Sequence, residues 1–241
     1  MLSLCSSAPL KAHHEIYTLK EIANFLPTNK STLVVFDIDN TLLQPKTDLG
    51  SVQWFCHQHQ EFVALGLTSA EAAKQILPLF FHINHTIDLI PIESTLVDDI
   101  THIKNNCERT LCLTARPLPL AERTLQQLQK NALCFHVPEL DEFVFNLNSV
   151  SLYKQGCLFC GLNCKGDVLL AFLKAINYHP DVIIFIDDKE ANLEAIETAA
   201  KQRNIPCVCL RYAGCDERVR NYDKEKTEQE LQEFLIKHPI Q

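Results

Sequence analysis

Short apolar runs that alternate with helical patterns constrain the fold of this 241-residue chain most strongly. Each run is apolar on both faces, which is typical of parallel strands covered by helices. Strands that alternate with helices predict an α/β fold with a parallel central sheet and helices on both of its faces. The runs span residues 32–36, 110–113, 182–186 and 206–210, and the helical stripes lie within 120–128, 168–176 and 193–200.

One segment interrupts this alternation, because residues 44–92 contain helical patterns and no convincing strand. Thr68 and Glu71 have the spacing of a capping box, and Pro78 is expected to end the helix that they begin. A helical insertion at this position is expected to act as a lid that sets substrate choice. We therefore predict an α/β core made of residues 1–43 and 93–241 and a helical cap made of residues 44–92.

Alternating apolar residues further along the chain predict a β-hairpin within residues 143–159. Phe143 and Phe145 alternate with polar or smaller neighbours, and Val150 and Leu152 do so on the return strand. Asn148 and Ser149 supply the turn between them. The hairpin is expected to be appended near the central sheet.

Two carboxylates, Asp37 and Asp39, follow the apolar run at 32–36. Side chains alternate along a strand, so both can face one side only if the backbone curls out of the strand at this point. They would then meet at the carboxyl edge of the sheet, where α/β proteins bind ligands. Neighbouring carboxylates repel each other, and a hard cation such as Mg²⁺ relieves that repulsion.

Three further motifs follow strand ends or begin helices. Thr114 ends the second run, Lys165 stands at the head of a helix, and Asp187 and Asp188 follow the third run. Each also has an ordinary interpretation, namely a turn residue, a solvated lysine and a solvated acidic turn. Arg116 has two interpretations that stay open, because it could bind a substrate anion or pair with a surface acid.

The order of these motifs resembles that of the haloacid dehalogenase (HAD) superfamily. Asp37-x-Asp39-x-Thr41 after an apolar strand is similar to the first motif of that superfamily, and the later residues follow in the expected order. The resemblance covers about residues 32–212. It implies a Rossmann-like HAD core with a parallel central sheet, and a C1-type helical cap inserted between the first and second motifs.

A narrower resemblance is to a group of bacterial HAD-like proteins known as DUF2608. Two details of the sequence support it: the segment Leu49-Gly-Ser-Val-Gln-Trp-Phe55, and the pattern Tyr153-x-x-Gly156 followed by Lys165-Gly166.

The superfamily resemblance implies Mg²⁺-dependent hydrolysis of a phosphomonoester, with a small organic phosphate as substrate, through an aspartyl-phosphate intermediate. Two alternatives stay open: a phosphotransferase or mutase of the same superfamily, and a non-catalytic HAD-like binding protein, such as a secreted bacterial factor. The implied roles are nucleophile for Asp37, acid and base for Asp39, and phosphate contacts for Thr114 and Lys165. The implied metal ligands are Asp37, Asp39 (through its carbonyl) and Asp187. Asp188 is either a further ligand or a supporting residue, and Arg116 is a supporting residue.

Composition bears on partners and location. A net charge of -8 argues against nucleic acid as a partner, because phosphate backbones attract basic proteins. No apolar run approaches the roughly 20 residues that span a bilayer, so no membrane partner is expected, and the oligomeric state stays open. The N-terminus has neither a basic leader nor an apolar core of a signal peptide, which predicts a cytoplasmic location. A secreted or periplasmic location would follow if a leader had been removed.

Cysteine and histidine suggest a weaker possibility, a zinc site. The eleven cysteines lie mostly in apolar stretches, which is typical of buried, reduced thiols in a reducing compartment. Cys157, Cys160 and Cys164 have a spacing that could bind zinc, and His82 and His85 are spaced for one face of a helix. Buried strand cysteines and solvated histidines are the simpler interpretation of both sets.

Overall fold

A computed structural model describes residues 13–137 and 139–240, and within them the chain folds around an eight-stranded sheet. The strand order is β1-β10-β9-β2-β5-β8-β7-β6. The pairs from β1 to β8 are parallel, and the last two are antiparallel. The predicted α/β fold with a mainly parallel sheet is confirmed. The strands are β1 (His14–Ile16), β2 (Thr32–Phe36), β3 (Leu43–Pro45), β4 (Leu89–Pro91), β5 (Arg109–Thr114), β6 (Phe143–Asn146), β7 (Val150–Lys154), β8 (Cys157–Phe159), β9 (Val182–Asp187) and β10 (Cys207–Tyr212).

Helices cover both faces of this sheet, as the doubly apolar strands predict. In β2, Val34 and Phe36 belong to one core cluster and Leu33 and Val35 to the other, and all four are fully buried. Helices α3 and α4 pack against the first cluster, and α5 and α6 against the second. The helices are α1 (Val52–Ala64), α2 (Ser69–Thr86), α3 (Leu96–Asn105), α4 (Ala121–Lys130), α5 (Lys165–Ala175), α6 (Glu190–Gln202), α7 (Asp216–Arg220) and α8 (Lys224–Lys237), with 3-10 turns at Leu19–Phe25 and Leu118–Leu120.

The predicted hairpin is present as β6 and β7, and it extends one edge of the sheet. Phe143 pairs with Tyr153 across the hairpin, and the Phe143 ring stacks on Phe172 of α5 with centroids 6.0 Å apart. Aromatic pairs of this kind stabilise beyond their buried area, so they hold the hairpin against the core.

The inserted segment contains the two long helices α1 and α2, which pack on each other. The capping box at the start of α2 is confirmed, with the backbone N–H of Thr68 donating to Glu71 at 2.9 Å. The expectation that Pro78 ends this helix is wrong, because α2 continues to Thr86. A proline removes one helical hydrogen bond, but Ile76 before it and Ile83 after it are buried in one apolar cluster, which holds the helix on both sides of the proline.

The same segment also begins and ends in short strands that the sequence did not predict. Strands β3 and β4 pair antiparallel at its base, with Leu43 opposite Pro91. Three residues are too few for an alternation pattern to be visible. The division into a core and a cap therefore stays a prediction. The structure adds a two-stranded β3–β4 sheet at the place where the inserted segment leaves and rejoins the rest of the chain, which forms the central sheet and is called the sheet domain below.

The C-terminal helix α8 packs against α1 and α2. Its Phe234 shares an apolar cluster with Trp54, Ile76 and Ile83 of the inserted helices. His82 on α2 lies 2.8 Å from the carbonyl oxygen of His238, just after α8. The inserted helices are thus bound both to the sheet domain through β3 and β4 and to the end of the chain.

Candidate active site

Asp37 lies where the backbone leaves strand β2. Its N–H still donates to the carbonyl of Ile186 at 2.9 Å, so the residue begins in register with the sheet. The chain then turns through Asn40, whose φ of 58° lies in the left-handed region that asparagine tolerates. This turn is the predicted curl, and it brings the carboxyl groups of Asp37 and Asp39 to one cavity.

Lys165, the first residue of α5, connects the ends of two strands. Its Nζ donates to Asp37 Oδ1 at 2.6 Å and to Asp187 Oδ2 at 2.7 Å, and all three residues are buried. Gly166 permits this position, because a Cβ there would come within 2.5 Å of the Ala195 carbonyl oxygen on α6. The close packing of α5 on α6 thereby places the lysine beside the strand ends.

Asp187, at the end of β9, is held by several donors besides the lysine. The Asn192 side chain donates to both carboxylate oxygens at 2.9 Å, and the backbone N–H of Lys189 donates to Oδ1 at 2.8 Å. Asn192 belongs to the first turn of α6, next to the acidic pair. This role was not predicted from the sequence. A polar residue in the first turn of the helix after Asp187 could have indicated it, because that turn begins beside the strand end.

Thr114 ends strand β5, Arg116 follows it, and both line the same cavity. The Thr114 hydroxyl accepts the backbone N–H of Arg116 at 3.1 Å. The guanidinium of Arg116 donates to both oxygens of Asp39, at 2.8 and 2.7 Å, and to Gln127 at 2.8 Å. Of the two open interpretations, pairing with an acid is the one that the structure supports, but the partner is Asp39 at the site and not a surface acid.

Burial and charge shift the pKa values of this cluster in opposite directions. Burial, partly offset by Lys165 and reinforced by the neighbouring acids, raises the pKa of Asp37 to about 8. Burial and the adjacent Asp187 raise the pKa of Asp188 to about 6. Burial opposes ionisation of Asp39 too, but the charge and hydrogen bonds of Arg116 outweigh it and lower the pKa of Asp39. The site holds more carboxylates than the two cations bonded to them can balance.

Three of these carboxylates form a group that fits a divalent cation. One oxygen each from Asp37, Asp187 and Asp188 lies within 4.8 Å of the others. Asp188 Oδ1 is buried and has no hydrogen-bond partner, and the only protein partner of Asp188 Oδ2 in the described chain is Asn40 at 3.2 Å. An all-oxygen donor set with an unsatisfied buried oxygen is what a hard cation requires. The structure thus brings Asp188, whose role the sequence left open between metal ligand and support, together with Asp37 and Asp187.

The alternative zinc sites do not assemble. Within residues 13–137 and 139–240, the acidic group is the one cluster of histidine, cysteine, aspartate or glutamate with metal-binding spacing. Cys157 and Cys160 are buried, Cys164 is exposed, and the ten described cysteines are free thiols. His82 bonds a backbone carbonyl instead of a second side chain. Cys5 lies outside the described residues.

Fold and site together define an α/β protein with an acidic cluster and a buried lysine at the carboxyl edge of its sheet. The chain belongs to the family described as "Protein of unknown function (DUF2608)", whose profile matches residues 15–238. A relative from Chlamydia muridarum is 30% identical over 215 residues, covering 88% of this chain and 82% of that protein. One from Chlamydia trachomatis is 29% identical over 200 residues, covering 83% and 76%. The narrower resemblance stated from the sequence is therefore confirmed.

Two solved structures are distantly similar in fold. A haloacid dehalogenase-like hydrolase from Streptococcus pneumoniae has a TM-score of 0.44 and 14% identity, covering 79% of this chain and 98% of that one. A HAD-superfamily hydrolase from Geobacter sulfurreducens has a TM-score of 0.40 and 11% identity, covering 78% and 95%. Because both TM-scores are below 0.5 and both identities are below 25%, these structures carry no evidence about activity. A function for this chain has to be argued from its own site.

The comparisons contradict the cytoplasmic location expected from the N-terminus. The chlamydial relatives are named as candidate outer membrane proteins. The expectation rested on the N-terminal residues, which lie outside the described part of the chain, and on cysteines typical of a reducing compartment. In the described part, no helix combines the length and apolar character needed to cross a membrane.

Proposed function

We propose that this DUF2608 protein is a Mg²⁺-dependent phosphomonoester hydrolase. The observation that carries the proposal is the contact of Lys165 Nζ with both Asp37 and Asp187, beside a group of three carboxylates. A nucleophile, a cation for phosphoryl oxygens and a hard-metal site are the parts that phosphoryl transfer to a carboxylate needs.

In the first step, an oxygen of Asp37 attacks phosphorus and the bond from phosphorus to the leaving oxygen breaks. Asp39, carrying the proton that it took from the hydrolytic water of the preceding turnover, supplies the proton that turns the leaving alkoxide into an alcohol. In the second step, water attacks the aspartyl-phosphate and gives its proton to Asp39, and inorganic phosphate leaves Asp37. The pair of hydrogen bonds from Arg116 aims the Asp39 carboxylate at the cavity, which suits its role as a base.

Other groups in the proposal stabilise charge. Lys165 and the Thr114 hydroxyl contact the phosphoryl oxygens, where negative charge is concentrated during transfer. Asp37, Asp187 and Asp188 would hold Mg²⁺, with the backbone carbonyl of Asp39. A bound Mg²⁺ lowers the repulsion between the anionic nucleophile and the anionic phosphate.

The experiment is to measure phosphate release from an aryl phosphate with added Mg²⁺. Asp37→Asn keeps the shape of the side chain and removes the attacking charge, so release should fall to background. Asp167→Asn is the matched control, because Asp167 lies in the first turn of α5 and is exposed. Asp37→Asn retaining more than a few per cent of the wild-type rate would contradict the proposal.

The same assay separates the two remaining alternatives. A phosphotransferase would release less phosphate when an acceptor alcohol is added and would form a new ester. A non-catalytic binding protein would bind a phosphorylated ligand and release no phosphate in either condition. Hydrolysis that is insensitive to the acceptor supports the proposed function.

We also infer that the protein acts at or outside the cell envelope. The names of its chlamydial relatives support this location. The test is fractionation of cells that produce the native protein, with cytoplasmic and envelope marker proteins measured in parallel. Recovery only with the cytoplasmic marker would contradict the inference.

A further inference from the structure

The cavity above the acidic cluster has two chemically different sides. It has a volume of about 280 Å³, slightly below the usual range for small-molecule sites. The side formed by the sheet domain carries the charged groups, among them Asp37, Asp39, Arg116 and Lys165. The side formed by α1 and α2 carries Val52, Phe55, Cys56, Leu77 and Phe80.

We infer that the leaving group of the substrate is apolar, such as an aryl or short alkyl group, and that Val52, Phe55, Leu77 and Phe80 form the wall that binds it. We call these four residues the apolar wall. This inference rests on the proposed function, because it requires the phosphoryl group to lie at Asp37.

Helical spacing places the wall residues on one side of the cavity. Val52 and Phe55 are three residues apart on α1, as are Leu77 and Phe80 on α2, so each pair shares a face of its helix. All four are half-buried and line the cavity. Two neighbouring helices thereby present apolar side chains toward one opening.

The two aromatic rings of the wall are held in place by packing. Phe55 meets Phe80 edge to face, with centroids 5.2 Å apart and an interplanar angle of 73°. Phe80 also stacks on the buried Trp54 at 6.4 Å. Rings fixed in this way form a preorganised surface for a flat or branched apolar group.

The apolar wall has no side-chain nitrogen or oxygen that could hydrogen-bond to the hydroxyls of a leaving group. Among the described residues that α1 and α2 contribute to the cavity, none has a side-chain nitrogen or oxygen atom. On the opposite side, Arg116 is bonded to Asp39, and Lys165 is bonded to Asp37 and Asp187. Lys189 and Asn192 also line that opposite side, so the cost concerns hydroxyls that face the apolar wall. Such hydroxyls would lose hydrogen bonds to water and gain none from the wall, whereas an apolar group has no such bonds to lose.

Binding of non-hydrolysable phosphonates tests this inference without requiring turnover. Isothermal titration with Mg²⁺ would compare benzylphosphonate, the analogue of phenyl phosphate, with the phosphonate analogue of glucose 6-phosphate. We expect benzylphosphonate to bind at least about tenfold more tightly. Equal affinities, tighter binding of the sugar analogue, or no binding of either compound would overturn the inference.

Variants of the wall residues test whether these residues cause the preference for benzylphosphonate over the sugar phosphonate. Val52→Thr places a hydroxyl in the wall at nearly constant volume and should lower the preference about fivefold, the effect of one net hydrogen bond. Leu77→Asn tests the facing helix. Val63→Thr is the matched control, because Val63 is an exposed residue of the same helix α1. An unchanged preference in both wall variants would also overturn the inference.

The hydrolase activity and the apolar wall can be contradicted independently. If benzylphosphonate is preferred but no phosphate ester releases phosphate, the hydrolase proposal fails and the apolar wall stands. If aryl phosphate and sugar phosphate are hydrolysed with equal kcat/KM in an Asp37-dependent reaction, the hydrolase proposal stands and the apolar wall fails.

Discussion

The pair formed by Arg116 and Asp39 gives the sharpest test of how this site is built. We consider Arg116→Met, which keeps much of the length and apolar volume of the side chain and removes the charge. The arginine side chain is 5% exposed and that of Asp39 is 20% exposed, so the carboxylate would lose its counter-ion in a mostly buried setting. The variant also removes the Arg116 N–H that donates to Gln127 Oε1.

The size of the effect follows from these contacts. Removing one partner of a buried ion pair costs about 3–5 kcal/mol, and the partial exposure of Asp39 lowers this to about 3 kcal/mol. Adding Asp39→Asn to Arg116→Met should recover more than about 1 kcal/mol, because no charge is then left unpaired. The kcat of the single variant should also fall, since Asp39 loses the two bonds that orient it.

The assay is urea unfolding followed by far-ultraviolet circular dichroism. Arg123→Met is the matched control, because Arg123 also pairs with an acid, Asp88, whose side chain is 50% exposed. An exposed pair contributes at most about 1 kcal/mol, and the hydrogen bond from Arg123 to the Ile87 carbonyl about 1 kcal/mol more, so this control should cost less than Arg116→Met. If Arg116→Met costs no more than Arg123→Met, the pair does not organise the site and the reasoning is refuted.

Three further outcomes follow from other contacts. Gly156→Ala should destabilise the fold by about 3 kcal/mol or more in urea unfolding, because its Cβ would lie 1.9 Å from the Phe135 carbonyl oxygen; Gly66→Ala, also at positive φ but in open space, is the control. Asp188→Asn should weaken the apparent Mg²⁺ affinity by about tenfold or more in a magnesium titration of activity, and an unchanged affinity would remove this residue from the proposed ligands. Removing residues 224–241 should lower the unfolding midpoint reported by the fluorescence of the single tryptophan, because α8 covers its cluster; an unchanged midpoint would show that α8 contributes nothing there.

Local patterns account for what the sequence predicted correctly. The central strands are apolar on both faces, and consecutive residues such as Leu33 and Val34 belong to the core clusters on opposite faces of the sheet. The turn after Asp37 also follows from local chemistry, because two carboxylates one residue apart can face one side only through such a turn. The meeting of Asp37 and Asp187 could be expected from topology, since parallel strands present their carboxyl ends at one edge. Lys165 reaches the same edge because it begins the helix that follows β8.

Contacts between distant segments account for what the sequence could not show. Arg116 and Asp39 are 77 residues apart, and nothing near Arg116 in the sequence indicates which acid it meets. The packing of α8 on the inserted helices is equally non-local, because apolar residues in an amphipathic helix predict a buried face without naming its partner. The predicted location was wrong for a different reason, because it was argued from the N-terminal residues and the cysteine content and not from a folding pattern.

The same non-local contacts bear on how substrate choice arises. A lid that opens as a rigid body must release whatever joins it to the rest of the chain. Here Arg218 donates to the carbonyls of Pro45 and Thr47 at 2.8 Å, and Arg123 donates to the carbonyl of Ile87 at 2.7 Å, so both connections of the inserted helices are bonded to other elements. Helix α8 adds an apolar attachment on a third side. Lid movement stays a prediction, but selection by the composition of a fixed apolar wall requires none of these contacts to break.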